Sequence, residues 1–123
     1  MGRLVGKVII VTGSSSGFGR AIAKACAAEG AKVVCCDIRK EARPEGYEED
    51  IRVPTDEAIR KAGGESIYIQ CDVTKESEVE ALVEEAVEEY GKLDVMTNNA
   101  GVFTRLARCH ECTEAEYDFT MAV

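Results

Sequence analysis

The sequence predicts an α/β fold: a parallel sheet in strand order 3-2-1-4 with helices on both faces. Three observations predict it. Short β-branched runs alternate along the chain with longer stretches of helical period. The connections between the runs are helix-length, which parallel pairing requires. Each run ends in glycine or small polar residues, and open α/β sheets hold their ligands outside the carboxyl ends of the strands. At 123 residues the chain has the length of one domain, 1–123.

The organising stretch is Lys7 to Gly19, KVIIVTGSSSGFG. Val8 to Val11 read as a buried strand, because β-branched residues fit a pleated surface covered on both sides. Glycines follow at 13, 17 and 19, where a side chain would keep the backbone from a ligand or from a tight strand-to-helix turn. The spacing G-x-x-x-G-x-G departs from the generic G-x-G-x-x-G fingerprint. Its context is nonetheless that of a dinucleotide site: a strand before it, a helix after it, and an acid, Asp37, 18 residues past Gly19. The helix that opens near Gly17 aims N–H groups and a positive dipole end at the turn, an anion site suited to a pyrophosphate. The fold class is therefore Rossmann-type.

Helix one is expected from Gly17 to Glu29, with Phe18, Ala21, Ile22, Ala25 and Cys26 on its apolar face and Gly30 ending it. Strand two, Lys32 to Cys36, delivers Asp37 at its carboxyl end. A carboxylate there accepts from both ribose hydroxyls of an adenosine and repels a 2′-phosphate, which favours NAD over NADP. Arg39, two residues on, is the one group positioned to favour the phosphate instead. An exposed loop is expected over about 39–54, carrying Pro44, Gly46 and an acidic run. It reads either as a surface insertion, which costs little, or as a loop shaping the adenine end of the site. Thr55 reads as the N-cap of a short helix, Asp56 to Ala62, stopped by Gly63 and Gly64.

Strand three spans Ser66 to Cys71, with Ile67 and Ile69 on one face and Tyr68 on the other, and ends in Asp72-Val73. Thr74 is expected to cap a long helix, Lys75 to Tyr90, striped by Val79, Leu82, Val83, Ala86, Val87 and Tyr90 and closed by Gly91. Strand four, Leu93 to Thr97, leads into Asn98-Asn99-Ala100-Gly101. Thr113 to Glu116, TEAE, is a capping-box pattern opening a last helix. Right-handed crossovers then bring 13–19, Asp37, 72–73 and 98–101 to one crevice.

Composition narrows the partners. A net charge of −8, with acids crowded at 45–57 and 76–89, repels nucleic acid. No apolar run reaches signal-peptide or transmembrane length, so no membrane partner is expected and the expected location is the cytoplasm. Six cysteines are expected as free thiols in a reducing compartment. Cys109-His110-Glu111-Cys112 has C-x-x-C spacing, but the chain has no second such pair and no second histidine, so no metal site is expected.

Together these residues resemble the short-chain dehydrogenase/reductase family along essentially the whole chain. TGSSSGFG is similar to the family's T-G-x-x-x-G-x-G turn, Asp37 to its acid after the second strand, Asp72-Val73 to its adenine-contacting pair, and NNAG at 98–101 to its fourth-strand motif. The resemblance implies that Gly13, Ser15, Ser16, Gly17, Phe18 and Gly19 hold the pyrophosphate and ribose side of the cofactor. Asp37 and Ile38 would take the adenosine ribose, Asp72 the adenine amino group, Val73 the ring, and Asn99, Ala100 and Gly101 the nicotinamide-side ribose. The implied activity is hydride transfer between a nicotinamide cofactor and a secondary alcohol or carbonyl.

One departure bears on chemistry. The family uses a serine, a tyrosine and a lysine four residues after that tyrosine, usually with an asparagine of the fourth helix. Here the tyrosines at 47, 68, 90 and 117 are followed four residues on by Ile51, Asp72, Asp94 and Met121. A phenol of pKa about 10 is a poor base at neutral pH without a nearby cation. The chain is therefore expected to be a truncated, cofactor-binding half with no catalytic residue of its own. The alternative is a catalytically silent dinucleotide-binding or interaction module. Strand four, left at the sheet edge, is expected to promote self-association.

Overall fold

The computed structural model describes residues 2–46, 50–102 and 104–123. Its elements are β1 (Val8–Thr12), α1 (Gly17–Ala28), β2 (Lys32–Asp37), α2 (Thr55–Lys61), β3 (Glu65–Gln70), α3 (Glu76–Tyr90), β4 (Val95–Thr97), a 3-10 turn at Cys109–Glu111 and α4 (Glu114–Ala122). The four strands form one sheet in the order β3-β2-β1-β4, every neighbouring pair parallel. Ile10 lies between Val34 on one side and Met96 on the other. The predicted order and the Rossmann-type architecture are those observed.

Two cores sandwich the sheet. Alternation along the strands sends Ile9, Val11, Val33 and Cys35 to one face, where they meet Ala23 of α1 and Ile59 of α2. Ile10, Val34, Cys36 and Ile69 go to the other, against Leu82 and Ala86 of α3. All five residues of β1 are buried, as a central strand covered on both faces must be.

The structure corrects several local expectations. On α1 the buried residues are Gly19, Arg20 and Ala23, with Ile22, Cys26 and Ala27 packed beside them. Phe18 is 85% exposed, and Ala21 and Ala25 also face outward. Close approach to β1 decides the face: a side chain at Gly19 would collide with the Gly13 carbonyl oxygen, so the helix turns its smallest residues inward. Val87 likewise falls outside the buried stripe of α3 and is 40% exposed.

Thr55 is the first residue of α2, with Pro54 at the N-cap; its hydroxyl bonds to Ser14 and Arg20 instead. Thr74 is not the cap of α3, which is Lys75. Thr74 donates both its N–H and its hydroxyl to Asp72 Oδ1, at 3.0 and 2.7 Å, closing a turn one step earlier. Strand β4 begins at Val95 because Asp94 takes over the preceding rung: its N–H donates to the Val8 carbonyl at 2.9 Å and its carboxylate accepts the Val8 N–H at 2.8 Å. Thr113 caps α4 as expected, accepting from the Glu116 N–H at 3.1 Å.

Candidate functional site

The carboxyl ends of all four strands border one crevice. Its walls include Gly13, Ser16, Gly17, Phe18, Asp37, Ile38, Asp72, Val73, Asn99, Ala100 and Gly101. Of the site residues expected from sequence, only Ser15 and Gly19 stand off that wall. Ser15 lines a smaller adjoining pocket with Asp37, Ile38 and Arg39, and Gly19 is buried behind the turn.

The turn is held from several sides. Gly13 and Gly17 have φ of +66° and +58°, a left-handed backbone that side chains resist. At Gly17 no described atom lies within 4 Å of where a Cβ would sit, so it is the left-handed φ rather than crowding that calls for glycine there. Helix α1 has no side-chain cap among the described residues, and its first turn carries no acid. The Ser16 hydroxyl is turned away to accept the Arg43 N–H at 2.7 Å. The Ser15 hydroxyl donates to the Arg39 carbonyl at 2.6 Å. These two hydroxyls hold the following loop; the Ser15 proton is spent on it, whereas Ser16, which only accepts there, keeps its own proton to donate.

Asp37 is the last residue of β2 and faces the turn. Its Oδ2 accepts the Ser15 N–H at 3.1 Å and its Oδ1 the Ile38 N–H at 2.8 Å. A carboxylate has about four lone-pair sites, so each oxygen keeps room for one further donor. Arg39 lines the pocket, yet its guanidinium is directed to its own loop, Nη2 to the Ala42 carbonyl at 2.8 Å and Nε to that of Glu41 at 3.3 Å. Ile38 is 58% exposed, an apolar surface beside the carboxylate that suits a flat base.

At the next strand end, Thr74 holds the Asp72 carboxyl below the usual carboxylate range. The segment 98–101 is fastened over the end of β1. Thr12 Oγ1 accepts the N–H groups of Asn99 and Ala100, each at 3.0 Å, and Asn99 Nδ2 donates to the Thr12 carbonyl at 3.1 Å.

The phenols are arranged for structure. Tyr68 donates to the Asp37 carbonyl at 2.9 Å, and burial, aided by the Asp37 charge, pushes it up to about 12. Burial raises Tyr90 as well. Both shifts run against a general base. Tyr47 lies outside the described residues. Cys109 and Cys112 are exposed, and among the described residues no group of three or more His, Cys, Asp or Glu is placed to hold a metal ion. No described helix is long and apolar enough to cross a membrane.

Sequence reasoning missed Arg43, Glu45 and Gly46 from the long loop, Cys71 and Thr74 beside the third strand end, and Val102, Phe119, Ala122 and Val123 at the far wall. Proximity in sequence to Asp72 would have found Cys71 and Thr74. Proximity to Gly101 would likewise have found Val102, and the others reach the crevice only through tertiary placement.

A parallel sheet in this order, with a glycine turn and an acid opposite it at the strand ends, is a Rossmann-type nucleotide fold. The family model for short chain dehydrogenases matches residues 7–123, and the chain belongs to that family, whose members bind nicotinamide dinucleotides. An uncharacterized oxidoreductase of Methylorubrum extorquens is 43% identical over 117 residues, which are 95% of this chain and 44% of that protein. Momilactone A synthase of rice, Oryza sativa subsp. japonica, is 39% identical over 123 residues, 98% of this chain and 40% of the synthase. The crystal structure of a short chain dehydrogenase from Mycobacterium smegmatis superposes with a TM-score of 0.81 at 34% identity, over 100% of this chain and 48% of that one. The chain thus spans less than half the length of the relatives it matches.

Proposed function

We propose that this chain provides the NAD-binding half of an oxidoreductase that transfers hydride between nicotinamide and a secondary alcohol or carbonyl. The observation that carries the reading is the pairing at the ribose end: Asp37 presents its carboxylate to the crevice while Arg39 is directed to the carbonyls of Glu41 and Ala42. A 2′-hydroxyl is served by that arrangement and a 2′-phosphate is repelled.

The residues fit the cofactor. The left-handed glycine turn at Gly13 and Gly17 and the first turn of α1, which carries no acid, suit a pyrophosphate. Ile38, Asp72 and Asn99 to Gly101 line the crevice; Ile38 would give the adenine an apolar wall, Asp72 would meet its edge, and Asn99 to Gly101 would border the nicotinamide end. When bound, the nicotinamide would accept or donate the hydride. This chain's own residues would bind and orient it.

Calorimetric titration with NAD and NADP tests the proposal. Wild type should bind NAD at least tenfold more tightly, and Asp37→Ala should lose most of that preference. Equal affinity in the wild type would remove the NAD assignment, and no heat with either would remove the site.

The raised phenols of Tyr68 and Tyr90 favour a second reading, a silent dinucleotide-binding module. Turnover of NADH with a panel of ketones, abolished by Gly19→Val, would exclude it. Two weaker inferences accompany the first. The free thiols suit a reducing cytoplasm. The edge strand β4, with Val95 41% exposed, is a surface for self-association; a sharp monomer peak in size-exclusion chromatography would count against it.

A further inference from the structure

Arg20 is charged, stands next to the last glycine of the turn, and is only 1% exposed. A guanidinium carries five donors in a rigid fork and keeps its charge, so burying it demands acceptors. They come from a segment 30 or more residues away in sequence. Nη2 donates to the carbonyls of Asp50 at 2.9 Å and Val53 at 2.6 Å and lies 3.1 Å from Asp50 Oδ1. Nη1 donates to Thr55 Oγ1 at 3.0 Å.

Thr55 is 2% exposed, and its hydroxyl donates onward to the Ser14 carbonyl at 2.7 Å. A hydroxyl has one proton, so the direction of the relay is fixed: Arg20 to Thr55 to Ser14. The Ser14 carbonyl and the Ser15 N–H belong to one planar peptide group. One side of that plane is held by Thr55. The other donates to Asp37 Oδ2. Rotating the plane would break both bonds together.

We propose that Arg20 and Thr55 are positioning residues of the dinucleotide site, setting through the Ser14–Ser15 peptide the orientation of the Asp37 carboxylate. The proposal rests on the reading of Asp37 as the ribose acceptor. It gives the segment after the long loop a function that a surface insertion would lack. It also gives the buried charge beside Gly19 a use: a carbon chain would fill the space but would leave the hydroxyl of Thr55 without its donor.

Thr55→Val keeps the shape and removes the hydroxyl, whereas Thr55→Ser keeps the hydroxyl. In calorimetry Thr55→Val should weaken NAD about tenfold and move NADP less, so that discrimination contracts, while Thr55→Ser stays within twofold of wild type. A folded Thr55→Val that binds both cofactors like wild type overturns the proposal. If Thr55→Val fails to fold, Arg20→Lys takes its place, since an ammonium has its three donors on one nitrogen and cannot occupy both the Nη1 position at Thr55 and the Nη2 position at the two carbonyls; wild-type NAD affinity in that variant is equally fatal. A second readout needs no ligand. Amide exchange at Ser15 should be at least tenfold faster in Thr55→Val than in Thr55→Ser or wild type, and unchanged exchange overturns the relay. If wild type binds neither cofactor, the functional reading falls, and amide exchange alone decides the relay.

Discussion

The Cα of Gly19 lies against the carbonyl of Gly13: a Cβ built there would collide with the Gly13 oxygen and stand 2.6 Å from Asn99 Nδ2. The first and last glycines of the turn therefore touch, and the fourth-strand segment closes over both. Gly19→Ala has no flexible neighbour to displace, since the Gly13 carbon is itself only 2.7 Å from the new atom. Overpacking of this kind costs about 1–3 kcal/mol. Urea unfolding should show that loss, with the dinucleotide affinity of the folded fraction reduced as well; an unchanged midpoint would mean that α1 can slide away from β1.

Thr12 is the second joint of the site. Buried at 2% exposure, its Oγ1 accepts from Asn99 and Ala100 and donates to the Thr97 carbonyl at 3.3 Å. Thr12→Val takes the acceptor from the Ala100 N–H and leaves the Asn99 N–H with the Thr97 carbonyl alone, at 3.1 Å. A buried group left unsatisfied costs about 1–3 kcal/mol, and Ala100 is half-buried, so a loss of about 1–2 kcal/mol is expected. Thr12→Ser, which keeps the oxygen, should recover most of it. Equal unfolding midpoints for the two variants would show that the 98–101 segment is held by packing alone.

The strands, their order and the crevice were legible because they follow from local pattern. Val8 to Val11 read as buried on both faces, and Asp37 ends β2, Asp72 lies two residues past β3 and Asn98 follows β4 directly. What local pattern could not reveal was Arg20. A charged residue in a helix reads as solvent-facing, and its burial depends on carbonyls at 50 and 53 that no periodicity links to it. The expected inner face of α1, Phe18, Ala21, Ile22, Ala25 and Cys26, holds only for Ile22 and Cys26. Gly19 and Ala23 are buried beside them, and at Gly19 contact with the Gly13 carbonyl leaves no room for a side chain, a constraint of helix-to-strand distance rather than of hydrophobicity. The bonds from Ser15 and Ser16 to the backbone of Arg39 and Arg43 were likewise out of reach, because they exist only once the loop is in place.

Acid stability should depend on Glu29. The Arg3 guanidinium, bonded at 2.9 Å, and the N–H groups of Gly2 and Arg3 at 3.0 and 3.1 Å hold its carboxyl down at about 2, from an ordinary 4.5. A depressed folded pKa means stability that is complete above the unfolded value and drains away as pH falls through the folded one. The thermal midpoint should therefore drop between about pH 5 and pH 2, and Glu29→Gln should flatten part of that slope while lowering the midpoint at pH 7 only slightly, the site being at the surface. A variant whose slope matches wild type would place the acid sensitivity elsewhere.

Thiol labelling can map the core and the crevice in one experiment. Cys109 and Cys112 are exposed and should react at once with a disulfide reagent at pH 8. Cys35 and Cys36 lie in β2 at no more than 1% exposure, and burial pushes the Cys35 thiol up to about 11 and raises that of Cys36. Reagents attack through the thiolate, so both should stay unlabelled until the sheet unfolds. Cys71 is the informative one: it is 1% exposed yet belongs to the crevice wall, and its thiol is raised by burial. Its labelling should be slow, faster than that of Cys35, and slowed further by NAD, because a bound dinucleotide would cover the strand end between Asp37 and Asp72. Mass spectrometry of quenched samples follows all three classes. If NAD leaves the Cys71 rate untouched while still binding, the adenine does not lie over the end of β3, and the assignment of Asp72 and Val73 to it falls.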